Sequence, residues 1–381
     1  MDCLTCHPGA DGYPHSAQTL GDCRQCHSPH EESVARDAHM TVSCGACHLE
    51  GVAPRTVAVA GMVTAERTAA PGTVSSIHAM KPLEVENCAR CHFDGTPVGA
   101  AAMVLPAKGI LCMPCHAATL SANDTTTIVA LVIFGFGMLL FSSVWLGGDM
   151  AGVAGDSSLR KLTALLRGAL AALFSSKIVP IGKALLFDVL LQRRLYRRSA
   201  RRWAIHSLIF LPFVVRFVWG ILALFASNWL KGLPLAWALI DKNHPATAFV
   251  FDLTGLLIFV GIAMAYIRGG EADRSRTPGL PAQDRLALGL IGSIVAVGFV
   301  LEAMRIALTG AGSMAGGAFV GYPLSFLFSG MTGLSGIYGY VWYLHAILTG
   351  AFVAYLPFSK LMHIIMAPVV LAMNALESKH H

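Results

Sequence analysis

The chain has 381 residues, of which 55% are hydrophobic and 13% charged. Soluble domains carry about a quarter charged residues, so a wholly soluble protein is excluded and part of the chain belongs in lipid. The net charge of +6 is unevenly spread: residues 1–120 hold 7 Lys+Arg against 11 Asp+Glu, and the rest hold 21 against 11. This divides the chain into a mildly acidic head, residues 1–122, and a basic membrane body, residues 123–381.

All ten cysteines precede residue 116 and form five pairs, each followed at once by histidine. The first is Cys3 and Cys6 with His7, the second Cys23 and Cys26 with His27, and the third Cys44 and Cys47 with His48. The fourth is Cys88 and Cys91 with His92, and the fifth Cys112 and Cys115 with His116. This is the attachment pattern of c-type haem. Two thiols three positions apart reach the two vinyl groups of one porphyrin edge, and the next residue offers an imidazole to the iron. Zinc sites or disulfides built from such pairs would leave the five histidines unexplained. Five haem c groups are therefore expected, with the porphyrins forming most of the core of so small a head. Short helices carrying each motif are the regular structure expected there.

Each iron needs a sixth ligand or keeps an open position. His15, His30, His39 and His78 are the head's other histidines and are read as distal ligands. Four cannot serve five irons. The fifth position falls to a methionine (Met40, Met62, Met80, Met103 or Met113), to His244 of the body, or to no residue. Residues 51–75, rich in Ala, Val, Gly and Thr, predict a loop or extended insert.

Apolar runs at 128–147, 203–226, 246–267, 286–309 and 334–358 each approach the roughly 20 residues that span a bilayer. Residues 158–192 hold shorter apolar stretches broken by Arg167, Lys177, Pro180 and Lys183, the pattern of amphipathic helices lying on a membrane surface. Residues 318–330 form a similar short piece. The loop 148–202 carries eleven Lys+Arg, and the loop 268–285 carries Arg268, Arg274, Arg276 and Arg285. Basic loops face the cytoplasm, which puts the head outside, where c-type haem is attached. Such export implies a signal sequence that has been removed, or a gene product that starts upstream of Met1. The expected fold is all-α: a small haem-packed head and a five-helix bundle in a bacterial inner membrane. The head lies in the periplasm and the C-terminus in the cytoplasm; no nucleic-acid partner is expected.

Ionisable residues inside a bilayer are functional hypotheses by default. His206 lies near the cytoplasmic end of the second span, and His345 and His363 on the last apolar stretch. On one continuous helix, His345 and His363 would point the same way about 27 Å apart. His206 and His363 are the expected axial ligands of one haem b.

The segment His345-Ala-Ile-Leu-Thr-Gly, followed by Leu356-Pro-Phe-Ser-Lys-Leu-Met-His363, resembles the last helix of the membrane cytochrome b (gamma) subunit of respiratory nitrate reductase. The resemblance implies two b haems, each held by one of these histidines and one of two second-helix histidines ten residues apart. His206 fits the first of those, but Arg216 stands at the second position. One or two haem b are thus expected: His345 either pairs with His244 for the second, is the ligand of a five-coordinate haem, or is a plain helix residue. A multihaem head fused to such a body is similar to the inner-membrane quinol-oxidising cytochromes of metal-respiring bacteria. That similarity implies menaquinol (menaquinone) as substrate and periplasmic c-type cytochromes as partners.

Arg216, Asp252, Glu302 and Arg305 fall at about the depth of His345, and Glu302 and Arg305, at i and i+3, can pair. They read either as an ion-pair cluster in which Arg216 and Arg305 anchor haem propionates, or as proton handling beside a quinone, with Asp252 or Glu302 as acceptor. The function expected is a quinol:cytochrome c-type oxidoreductase. The alternative is an electron-conducting subunit of a larger respiratory complex, with a cytoplasmic iron–sulfur or molybdenum partner docked on the loop 148–202.

Overall fold

The structure is a computed structural model that describes residues 39, 42–48, 51–57, 62–67, 88–148, 157–230, 233–274, 282–310 and 316–377. The first motif (Cys3, Cys6 and His7) and the second (Cys23, Cys26 and His27) lie outside the described residues. So do His15, His30 and His78 and the side chains of Cys44 and His48, which leaves Cys47 as the described cysteine side chain of the third motif.

In chain order, α1 (Cys44–His48) is the third motif, and β1 (Val52–Val57) and β2 (Met62–Arg67) follow. The two strands pair antiparallel, Val52 opposite Arg67 and Val57 opposite Met62. Within the loop or extended insert expected at 51–75, the two extended segments pair as a hairpin. It is closed by Arg55 donating to Glu66 at 2.8 Å across the strands, with Val63 turned inward on Ala46 and Val98.

The body begins with α2 (Thr125–Trp145), capped by Asp124, whose carboxylate accepts from the Thr127 amide at 2.9 Å. Then come α3 (Ser158–Leu173), α4 (Ile178–Ala184), a π-helical turn (Leu185–Leu190), α5 (Arg193–Arg198) and α6 (Ala200–Trp229). After these follow α7 (Pro234–Ile240), α8 (Pro245–Arg274), α9 (Ala282–Thr309), α10 (Gly321–Ser325), α11 (Leu334–Tyr355) and α12 (His363–Glu377). Among the described residues five helices are long and apolar enough to cross a membrane, corresponding to α2, α6, α8, α9 and α11. In lipid every backbone amide must be satisfied internally, which is why such runs close as helices. The protein is an all-α membrane bundle.

The spans alternate in direction. Residues 88–124 meet the bundle at one end: Asp94 accepts from Ser335 Oγ at 3.1 Å at the start of α11, and the Ala102 amide donates to the Ser335 carbonyl at 3.0 Å. At the other end lie α3–α5, the end of α8 and the start of α9, where Tyr266 donates to the Arg285 carbonyl at 2.9 Å, and α12. There Lys161, although buried, donates to the Leu146 and Gly148 carbonyls at 3.0 and 2.7 Å, closing the end of α2. Leu159, Leu162, Leu166, Leu170 and Phe174 remain exposed at helical spacing, an apolar stripe suited to an in-plane membrane helix. Between the two ends, Ile258, Ile262, Ile291, Val295 and Phe299 pack with Ile209, Phe213 and Phe352 into the bundle's apolar centre.

One expectation is overturned. His345 and His363 do not share a helix. α11 ends at Tyr355, Leu356–Phe358 and Lys360–Met362 form separate 3₁₀ turns, and His363 opens α12. Pro357 lacks the amide a helix needs and its ring crowds the preceding turn. Ser359 is extended (φ −131°, ψ 171°) and caps the next turn, its Oγ accepting from the Leu361 amide at 3.2 Å. The spacing of 18 residues therefore does not set the two side-chain directions.

Candidate functional site

Three pairs of histidine rings face each other at nearly one separation. Ring centroids are 6.2 Å apart for His39 and His92, 6.5 Å for His116 and His345, and 6.0 Å for His206 and His363. An imidazole nitrogen lies about 1.1 Å from its ring centroid and binds a metal at roughly 2 Å, so two rings on opposite sides of one iron have centroids about 6 Å apart. Interplanar angles of 87°, 20° and 53° are all compatible, because each ring can rotate about the shared axis. Among the described residues no group of three or more His, Cys, Asp or Glu is arranged to hold a bare metal ion. Two axial imidazoles suffice for haem, whose porphyrin supplies the remaining ligands. The paired rings fit that group.

The supporting hydrogen bonds agree. Nδ1 donates to the Ala101 carbonyl in His92 (2.8 Å), to the Ala117 carbonyl in His116 (3.4 Å), to Gln192 Oε1 in His206 (3.0 Å) and to the Lys360 carbonyl in His363 (2.7 Å). A proton held on Nδ1 leaves Nε2 as the free ligand nitrogen and fixes the ring's direction. In His345, Nδ1 is buried and has no well-aligned hydrogen-bond partner among the described residues, the Ile294 backbone being the polar group close to the ring.

Sequence reasoning missed Gln192. It joins the π-helical turn to α5 with φ 53° and ψ 39°, a left-handed conformation rare for a side-chain-bearing residue. With this backbone its buried side chain turns inward, where Oε1 accepts from His206 Nδ1 and, at a longer 3.4 Å, from Ser207 Oγ. Backbone strain of this kind, about 1–3 kcal/mol, persists where the surroundings over-determine it.

The fourth and fifth motifs share one local geometry. In each, the second cysteine and the histidine donate their amides to the first cysteine's carbonyl, at 3.1 and 2.9 Å for Cys91 and His92 and at 3.1 Å for both Cys115 and His116. A single helical turn thus puts both sulfurs on one side with the imidazole following. The fourth motif packs on the third: Cys91 contacts the Ala46, Val63 and Val98 core, and Arg90 donates to the Ala46 carbonyl at 3.4 Å. Burial pushes the Cys91 thiol up, and half-buried Cys47 of the third motif lies close enough to push it further. The structure thus brings Cys47 beside the fourth motif, while Cys6 and Cys26 of the first two lie outside the described residues. The fifth motif is seated in the bundle. A Cβ added at Gly220 of α6 would stand 2.6 Å from the Met113 carbonyl oxygen and 3.2 Å from that of His116. Ala117 packs with Ala223 and Ile240, and Ala118 is fully buried. Burial pushes the Cys115 thiol up to about 11 and holds the His116 ring well below the usual histidine range, helped by Lys242 and Lys108.

The ring opposite His345 is that of His116, not His244. His244 instead precedes α8, where its carbonyl accepts from the Ala248 amide at 3.0 Å. Arg216 turns to α8, donating to Thr254 Oγ1 at 2.8 Å and to the Phe251 carbonyl at 2.6 Å. Arg305 donates to Asn243 Oδ1. Asp252 is 0% exposed, and its Oδ2 accepts from the Val320 and Gly321 amides at 2.6 and 3.1 Å, holding α10. Glu302 lies beside it, pressed on Gly321. Asp252→Ala should strand two buried amides at about 1–3 kcal/mol each. A lowered melting temperature in detergent checks this, with Asp252→Asn, which keeps an acceptor oxygen, falling between.

No protein-family model matches the chain, and no solved structure matches it. Curated relatives do. The chain is 25% identical over 265 residues to a subunit of the dihydromethanophenazine:CoB–CoM heterodisulfide reductase of Methanosarcina acetivorans, covering 65% of this chain and 88% of the relative. The corresponding proteins of Methanosarcina thermophila and Methanosarcina mazei match at 25% identity over 267 and 264 residues. A match of that length must take in much of the helical body. This chain is a membrane protein similar over 65% of its length to that component of the reductase.

Proposed function

We propose that this chain carries electrons across the membrane between the quinone pool and c-type haems on its N-terminal head. In the favoured direction it oxidises menaquinol and delivers electrons to periplasmic c-type cytochromes. The reading rests on one observation above the others: the paired imidazoles, two of the three pairs containing the histidine of a Cys-x-x-Cys-His motif. His206 and His363 would hold one haem b, and the five motifs would hold five haem c. Haem iron, when bound, supplies reversible one-electron transfer.

The chain's own residues orient and insulate. Gln192 and the Lys360 carbonyl set the tautomers of His206 and His363. The apolar layer of Ile209, Phe213 and Phe352 lies between that pair and the fifth motif. From His206 to Gly220 is fourteen residues of α6, about 21 Å along the helix, a large part of a bilayer's roughly 30 Å core. With the basic loops in the cytoplasm, the head is periplasmic and α12 cytoplasmic. A quinol site beside the cytoplasmic haem b is the favoured one; on the head side, Asp252 Oδ2 is taken by backbone amides and the residue is sealed from solvent, so a quinol oxidised there instead would use Glu302, which is partly exposed.

The experiment is direct. The purified chain is mixed with a reduced menaquinol analogue while c-haem absorbance is followed. Rapid reduction, blocked by a quinone-site inhibitor, supports the proposal. The relatives' name favours a second reading: they are called a subunit, with a dihydrophenazine as donor and a heterodisulfide as acceptor. On that reading the chain conducts electrons for a cytoplasmic redox partner, and no reduction occurs until that partner is added.

Gln192→Leu keeps the side chain's bulk and removes the acceptor. It should weaken haem b retention roughly 10–100-fold, the usual effect of losing an outer-shell partner. Haem b per chain after extended detergent washing measures it, with covalent haem as the internal reference.

A further inference from the structure

The head's four spare histidines cannot serve five irons, and the structure supplies a fifth from an unexpected place. His345 lies midway along α11, and its ring faces that of His116 at 6.5 Å, the planes within 20° of parallel. His116 follows the fifth cysteine pair, and its Nδ1 is taken by the Ala117 carbonyl. Its free nitrogen is therefore Nε2. Gly298 of α9 makes room on the other flank: even a Cβ there would sit 3.6 Å from His345 Cε1. On α6, the position where a second histidine would be needed for another haem b is Arg216, and its guanidinium is bonded into α8. Lys108 and Lys242 lie close enough to act on both His116 and His345, and Arg216 on His345 and Cys115. These cations suit a ligand bearing two carboxylates, as haem does.

We propose that His345 is the distal ligand of the haem attached at Cys112 and Cys115. This haem is then sunk into the head-side half of the bundle, in the place a second haem b would take. The inference rests on the multihaem reading above and sharpens it. One haem b is left, held by His206 and His363. The histidine count then closes: His15, His30, His39, His78 and His345 serve five c-type irons, and His244 serves none.

Two measurements test it. A pyridine haemochrome of the wild-type chain should give c and b haem in the ratio five to one. A ratio of five to two, with one b haem lost on His345→Ala, overturns the proposal. In His345→Ala, the covalent haem count and the haem b count should both stay unchanged, while one c-type iron turns from low-spin to high-spin and binds added imidazole. His345→Met should restore a low-spin iron and raise one c-haem midpoint potential, as methionine ligation does. An unchanged spin state in His345→Ala also overturns it. If His345→Ala does not fold, the wild-type ratio decides. Absence of covalent haem from the denatured chain is a separate outcome, which removes the multihaem reading itself.

Discussion

Alanine at His206 or at His363 is expected to remove haem b entirely, leave all covalent haem in place, and slow quinol-driven reduction of the c haems at least about a hundredfold, some 2.7 kcal/mol of barrier. The two residues lie far apart in sequence, on α6 and at the start of α12, yet their rings stand 6.0 Å apart. An iron needs both, so either single change should give nearly the full loss, and the double variant little more. Folding is a minor concern at His363, which is exposed and whose Nδ1 bond goes to a carbonyl three residues back. The covalent haem count reports the head, and thermal unfolding reports the bundle. Reduction of the c haems at the wild-type rate in a variant free of haem b would move quinol oxidation to the head side, beside Glu302.

Much of this was legible in the sequence, for identifiable reasons. The spans could be read because lipid dictates their length. The helices then overrun the apolar runs: α6 starts at Ala200 and α8 reaches Arg274, since hydrogen bonding does not stop at the hydrocarbon edge and arginines extend to the surface. The pairing of His206 with His363 followed from their shared membrane depth. The partner of His345 did not, because docking of residues 110–118 rests on Gly220, Ala117 and Ala118, small residues whose close fit no sequence pattern announces. The helix break before His363 had a signal in Pro357, but even histidine spacing argued for continuity. The hairpin at 52–67 was hidden by its composition; its cross-strand Arg55–Glu66 pair has meaning only once the register is known. Gln192 had no signal of its own: its role comes from one positive φ.

Removing the fifth attachment, Cys112→Ala with Cys115→Ala, should have the other large effect. Covalent haem is expected to fall from five to four. Haem b should remain and still be reduced by quinol, while reduction of the remaining c haems drops at least about a hundredfold. The reason is position. Among the described motifs, the fifth lies against α6 and faces α11, whereas the fourth packs on the third beside the hairpin. The matched control, Cys88→Ala with Cys91→Ala, also loses one haem, but it should leave both haem b and the fifth motif reducible. Loss of either haem opens a cavity and lowers stability, so the comparison is made between two variants with the same haem deficit. If both variants lose quinol-driven c-haem reduction equally, the fifth motif has no special place between body and head. If only the variant lacking Cys112 and Cys115 does, electrons leave the bundle where His116 faces His345.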